Sequence, residues 1–298
     1  MTDFAIETWG LTKVFGQVAA VKELDLRVPK GSIYGFLGPN GAGKTTTIKM
    51  LLGLLQPTGG GIRVLGLDPK KESLEILMRT GYVAETQNMY GYMTVKEIID
   101  FCKALYPRWE DGTVKKYLDL FELPTGKKVK ALSKGMKNQL ALALALGSGP
   151  DLLILDEPTS GLDPQKIKDF LTVIVEQVAE TGQTVFFSSH QLYEVERIAD
   201  WVGMIVQGRL VFSSSMDDLK ARHKKIKVML AGESLPQELT NRPEIIKIEL
   251  QGRGYVLTVS GNIDRIIALL NSLNPSLLEV FPETLEEIFL AYTEGVRT

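Results

Sequence analysis

Eight residues constrain this chain more than any others: Gly38-Pro39-Asn40-Gly41-Ala42-Gly43-Lys44-Thr45. Gly38 and Gly43 bracket four residues, and a lysine and a hydroxyl residue follow. Glycines let the backbone curl so that successive N–H groups converge on phosphate oxygens. In that pattern Lys44 reaches the β- and γ-phosphates and the Thr45 hydroxyl ligates Mg²⁺. The flanks agree. Ser32-Ile33-Tyr34-Gly35-Phe36-Leu37 is a short apolar strand, and Thr46 to Leu55 reads as a helix whose first N–H groups add partial positive charge. A glycine-rich turn without a ligand is the competing reading, and it leaves the strand–loop–helix context without a reason.

The rest of the chain is an α/β pattern with one helical interruption. Phe4 to Trp9 and Glu23 to Val28 read as strands, with Leu24, Leu26 and Val28 alternating with charged residues. Phe15-Gly16 lies between them, either a core aromatic or a platform on which a purine stacks. Gln56 to Gly61 reads as a loop before a strand at Ile62 to Leu65. Leu74 to Met78 reads as a helix and Gly81 to Ala84 as a strand. From Thr86 to Gly149 the texture is helical. A Thr94…Glu97 capping box opens one helix, Val114 to Phe121 forms a second with Leu118 and Phe121 on one face, and Leu132-Ser133-Lys134-Gly135-Met136 precedes a third over Lys137 to Leu146. Leu152 to Leu155 is an unbroken apolar run, expected of a strand buried on both faces. Asp163-Pro164 supplies an N-cap and a proline at the first helical position, for a helix reaching about Thr181. Further strands at Thr184 to Ser188, Val202 to Val206 and Arg209 to Phe212, with a helix over Gln191 to Ala199, complete a mostly parallel sheet. Ser213-Ser214-Ser215 marks a boundary between a domain over 1–213, its helical part at about 86–149, and a small α+β accessory domain over 214–298. The latter carries no recognisable chemical motif.

Composition narrows the function classes. With 298 residues, 44% of them apolar, the chain can bury a large core. A net charge of −2 disfavours a nucleic-acid surface. The lone Cys102 excludes an internal disulfide, and a chain whose histidines are only His190 and His223 is a poor zinc binder. These features suit a reducing cytosol. No apolar run approaches the roughly 18 residues a membrane span needs. The start, Met1-Thr2-Asp3-Phe4, has neither the basic region nor the apolar core of a signal peptide.

Asp156-Glu157-Pro158 follows the apolar run directly. A carboxylate at the C-terminal end of a buried strand beside the P-loop strand stands where Mg²⁺ needs an acidic partner. Asp156 would hold the metal, and Glu157 would polarise a water for in-line attack on the γ-phosphate. The alternative is a pair of solvated acids.

Together Gly38 to Thr45, Leu132 to Met136, Asp156-Glu157-Pro158, Ser160-Gly161-Leu162-Asp163 and Ser188-Ser189-His190 resemble the ATP-binding subunit of ABC transporters, in order and spacing, over residues 4 to 213. The resemblance implies a P-loop NTPase core of the RecA-like kind. It also implies an N-terminal antiparallel β subdomain and a helical insert with the signature motif; the small C-terminal α+β domain lies beyond it. It further implies two subunits sandwiching ATP and Mg²⁺ head to tail. Gly38, Pro39, Asn40, Gly41, Ala42, Gly43, Lys44, Thr45 and Thr46 cradle the nucleotide and Phe15 stacks on adenine. Thr45 and Asp156 hold the metal, and Glu157 and His190 act on the attacking water. Ser133, Gly135 and Asp163 serve the site across the dimer interface. The family's usual glutamine loop aligns on Glu85, with Gln87 two residues later. Glu85 is the expected metal-facing residue, and its extra negative charge beside a triphosphate would alter coupling. The signature reads Leu-Ser-Lys-Gly-Met, which resembles subunits of exporters for antibiotics and other small hydrophobic compounds.

Met89-Tyr90-Gly91-Tyr92-Met93 is an apolar, aromatic loop, read either as a docking patch or as buried within the helical insert; the resemblance implies that such a patch meets a separate integral membrane subunit. The expected protein is an ATPase, peripheral on the cytoplasmic face of the membrane, paired as a homodimer or with a related ATPase subunit, without nucleic acid. A soluble ATPase acting on ribosomes or nucleic acid, or an ATP-sensing switch without turnover, is the alternative.

Overall fold

The alternation of Leu24, Leu26 and Val28 with charged residues calls for one dry and one wet face. In the computed structural model, which describes residues 3–230 and 235–294, all three are fully buried. The single strand expected over Glu23 to Val28 is nonetheless two. Strand β1 (Phe4–Phe15) pairs antiparallel with β2 (Val18–Leu24) on one side and with β3 (Arg27–Pro29) on the other. Buried Thr8 explains the break: its hydroxyl donates to Leu24 O at 2.7 Å and accepts from Leu26 N at 2.9 Å, satisfying the backbone where the strand is interrupted.

β1 also pairs with β5 (Gly59–Val64), so the glycine run expected as a loop is part of a strand. Trp9 is the reason. A Cβ placed on Gly61 would come within 2.1 Å of the Trp9 ring, so only glycine lets the indole lie against that backbone.

The second sheet has the order β10-β9-β4-β8-β7-β6, from β4 (Ile33–Leu37), β6 (Thr80–Val83), β7 (Leu152–Asp156), β8 (Thr184–Ser189), β9 (Trp201–Val206) and β10 (Arg209–Ser215). From β9 to β6 the pairing is parallel. β4, β7 and β8 are buried at every residue, as both-face coverage requires. The acidic strand is not beside the P-loop strand, contrary to expectation: β8 lies between them. Register makes up for the distance. Leu37 of β4 pairs with Ser189 of β8, and Asp156 of β7 pairs with Ser188, so three carboxyl ends finish at one level.

Helices α1 (Lys44–Leu51), α2 (Ser73–Met78), α6 (Pro164–Thr181) and α7 (Leu192–Ile198) complete this α/β layer. Between β6 and β7 come α3 (Val95–Leu105), α4 (Asp111–Leu120) and α5 (Lys134–Gly147). The Thr94–Glu97 capping box is formed in both directions. α4 buries Val114 and Tyr117, followed by Phe121, while Leu118 is only half-buried. α5 begins three residues earlier than expected, because the Ser133 hydroxyl accepts from Met136 N and caps it. Asp151 receives Arg79 at 2.7 Å and Arg108 at 2.9 Å, tying the end of the helical insert to the sheet.

Contacts divide the chain into units of 1–213 and 214–298. The second contains α8 (Met216–Arg222), β11 (His223–Met229), α9 (Gln237–Thr240), β12 (Ile245–Gln251), β13 (Gly254–Ser260), α10 (Ile263–Ser272), β14 (Leu277–Pro282) and α11 (Leu285–Glu294). Its strands form an antiparallel sheet of order β12-β13-β11-β14, and Ile226, Val228, Leu257 and Val259 meet Ile266 and Leu270 in its core.

Candidate functional site

The P-loop leaves β4 and turns into α1 at Gly43, whose φ of +112° is a conformation side chains resist; a Cβ there would also meet Ala20 O at 2.5 Å. No side chain caps α1 and no acidic residue stands in its first turn, so its leading N–H groups are kept for an anion. Lys44 is buried and folds back over the loop, donating to Gly38 O at 2.6 Å and Pro39 O at 3.3 Å. Its Nζ also lies 3.1 Å from Glu157 Oε1.

At the end of β7, Asp156 is buried and its Oδ1 accepts from Ser188 Oγ at 2.7 Å. Ser188 serves the next residue too: Glu157 N donates to Ser188 Oγ at 3.1 Å and Ser188 O at 3.2 Å. Those bonds hold Glu157 in the left-handed region at φ +47°, which costs a non-glycine residue about 1–3 kcal/mol. The strain aims the carboxylate between two partners. One is Lys44. The other is His190 Nδ1, at 2.7 Å from Oε2, which requires Nδ1 to carry the proton and leaves Nε2 as an acceptor in the neutral ring. The contact between Lys44 and Oε1 is ionic and off the hydrogen-bonding direction, so buried Oε1 keeps its accepting capacity.

These groups share a cavity of about 520 Å³. Its lining combines Asn40, Gly41 and Gly43 to Thr46 of the P-loop segment with Ala20, Glu85, Glu157, Ser160 and His190. Buried Gly38, Ala42 and Asp156 and exposed Pro39 are not part of this lining. Glu85 reaches the cavity and Gln87 does not, since Gln87 Nε2 turns back to Ala84 O at 2.5 Å. A larger cavity of about 660 Å³ lies by Trp9, Pro57 and Arg63, and no phosphate-loop residue reaches it.

Phe15 is not a core aromatic. It is 49% exposed at the end of β1, with Lys13 Nζ 5.0 Å from its ring centroid. Ser133 is exposed, and Gly135 packs on Leu162. Asp163 caps α6 through Lys166 N at 3.0 Å and pairs with Lys166 Nζ at 3.1 Å; these bonds hold its carboxyl below the usual range. None of the three lines the cavity.

The family model described as ABC transporter matches residues 21–160. The bacitracin transport ATP-binding protein BcrA of Bacillus licheniformis is 42% identical over 222 residues, 74% of this chain and 72% of that protein. The chain belongs to the ABC transporter ATP-binding family. The ABC transporter ATP-binding protein YtrB of Bacillus subtilis is 29% identical over 98% of this chain and 99% of its own length. A solved ATP-binding subunit of an ABC transporter superposes with a TM-score of 0.67 at 28% identity, covering 73% of this chain and 92% of that one.

As a member of this family the chain is an ATP-binding ATPase subunit, with the family's P-loop NTPase fold. Among the described residues no helix is long and apolar enough to cross a membrane. The double role of Ser188 escaped sequence reasoning, because only strand register places it against Asp156. The position of Ser160 in the cavity wall was likewise hidden, since it depends on the path of the loop after Glu157.

Proposed function

We propose that this chain hydrolyses ATP at the cavity between the P-loop and Glu157, as the motor of a transporter that exports a small, antibiotic-like molecule. The observation that carries this reading is the convergence of Lys44 and His190 on the strained Glu157 at the carboxyl ends of three registered strands. The substrate class rests on the bacitracin transport relative and on the Leu-Ser-Lys-Gly-Met signature.

The backbone N–H groups of the loop and α1 would take the phosphates, with Lys44 exchanging its carbonyl contacts for the β- and γ-oxygens. Phe15 would carry the adenine. Glu157 would orient the attacking water and accept its proton, and His190 would hold that water against the γ-phosphate. Thr45 and Asp156 fit a Mg²⁺ site completed by phosphate oxygens, with Glu85 as a further oxygen donor. Bound there, Mg²⁺ would neutralise charge on the β- and γ-phosphates.

Ser133, Gly135 and Asp163 stand outside the cavity of their own chain and would close the site of a second ATPase subunit, either another copy or a related chain. Tyr90 and Tyr92 are 50% and 66% exposed, which favours the docking patch over burial in the insert. A separate integral membrane subunit would seat there and hold the protein on the cytoplasmic face. Glu157→Gln is expected to lose most turnover, keep ATP binding and accumulate as a dimer, read by phosphate release and size in solution. Near-normal hydrolysis would overturn the role of Glu157.

A further inference from the structure

α7 packs against the P-loop strand so closely that a Cβ on Gly35 would come within 2.3 Å of Val195. Next to Val195, Glu194 is wholly buried, a costly place for a carboxyl group unless it is hydrogen-bonded. Its Oε2 accepts from Thr159 Oγ1 at 2.7 Å and from Ser189 Oγ at 3.2 Å, and Tyr193 OH lies 3.4 Å from Oε1. Thr159 stands two residues after Glu157, and Ser189 immediately precedes His190. Glu194 thus grips both segments that carry the Glu157–His190 pair, without lining the cavity itself. Burial first, and then the Glu157 charge among lesser effects, raises its carboxyl above the usual range, while the Thr159 and Ser189 hydroxyls work the other way. A left-handed Glu157 persists only where its surroundings over-determine it.

We propose that Glu194 is a positioning residue for ATP hydrolysis, holding Glu157 and His190 in their 2.7 Å pairing through Thr159 and Ser189 and joining that pair to the P-loop strand through α7. The proposal rests on the roles given above to Glu157 and His190. Displacing a catalytic group by a fraction of an ångström lowers turnover without removing the nucleotide's own contacts.

The full-length chain tests this with Thr159→Val, Thr159→Ser and Glu194→Gln beside Glu157→Gln, scored by kcat, KM, equilibrium nucleotide binding and thermal unfolding. Thr159→Val and Glu194→Gln are expected to lower kcat about tenfold to a hundredfold, with nucleotide affinity within about twofold. Thr159→Ser, which keeps the hydroxyl, restores most of the rate. A folded Thr159→Val with kcat within about twofold of the parent, while Glu157→Gln has lost turnover, overturns the positioning role. So does a loss that serine fails to restore, because packing rather than the hydrogen bond would then be at stake. Turnover retained by Glu157→Gln itself brings down the reading of Glu157 and this proposal with it. Should Glu194→Gln fail to fold, the two Thr159 variants decide.

Discussion

Glu157 and Ser133 are both assigned to the nucleotide, yet their surroundings are opposite. Glu157 is 7% exposed and held by Lys44, His190 and the backbone bonds to Ser188. Ser133 is exposed, and its hydroxyl is occupied with capping α5. One region organises its geometry within a single chain. The other sets a helix start on the surface and, on the proposed reading, would serve a site only against a second subunit. The contrast is expected to separate binding by one chain from efficient turnover by two.

Lys44→Ala should sharpen the contrast most. It removes the cation proposed to bind phosphate and leaves Glu157 buried without its charge partner, a loss on the order of 3–5 kcal/mol for buried pairs. Nucleotide affinity should fall by more than about a hundredfold, with a thermal midpoint lower by about 5–15 °C, read by equilibrium binding and melting. Ser133→Ala should act differently. Turnover should drop about tenfold or more while the isolated chain binds ATP within about twofold, and the lost cap should cost about 1 kcal/mol. Equal damage to single-chain affinity would break the division between the two regions.

Phe15→Ala should weaken ATP binding by about tenfold, as stacking worth about 1–3 kcal/mol suggests, while kcat at saturation stays near the parent. Phe15 does not line the cavity of the chain alone, and unchanged affinity would end its proposed role beneath adenine. The smallest effect concerns the tether of the helical insert. Burial works against the ionised Asp151, but Arg79 and Arg108 overcome it and hold its carboxyl below the ordinary 3.8. A lowered folded-state pKa means the stabilisation is complete above the unfolded value and is lost as pH falls through the folded one. Asp151→Asn should therefore melt earlier at pH 7, by under about 1 kcal/mol for this partly exposed site, and converge with the parent in acid. A difference that persists in strong acid would place the effect elsewhere than in these ion pairs.

Where a signal is local, the chain is read directly from its residues. The Thr94–Glu97 capping box, the start of α6 at Asp163-Pro164 and the buried run Leu152 to Leu155 all stand where the sequence places them. The glycine run at Gly59 to Gly61 misleads, because low strand propensity is overridden by the Trp9 ring lying against it. β14 of the second unit lacks a clear sequence signal, whereas α8 is signalled by the Ser215–Asp218 cap and is passed over when that serine is read as part of a boundary. β14 is half to fully exposed along its length, so no apolar alternation announces it.

The amino-acid sequence by itself determined that a phosphate cradle is present, which side chains could serve it and that a helical insert interrupts an α/β chain. Those properties follow from residue types a few positions apart: glycines that permit a tight loop, caps that start helices, apolar runs that must be covered. Only the tertiary structure decided that β8 separates the two chemical strands, that Ser188 ties Asp156 to Glu157, and that Glu157 is held left-handed between Lys44 and His190. The physical reason is register: parallel pairing brings together residues far apart in the chain, 32 positions for Asp156 and Ser188, and no local preference specifies which of them will face each other.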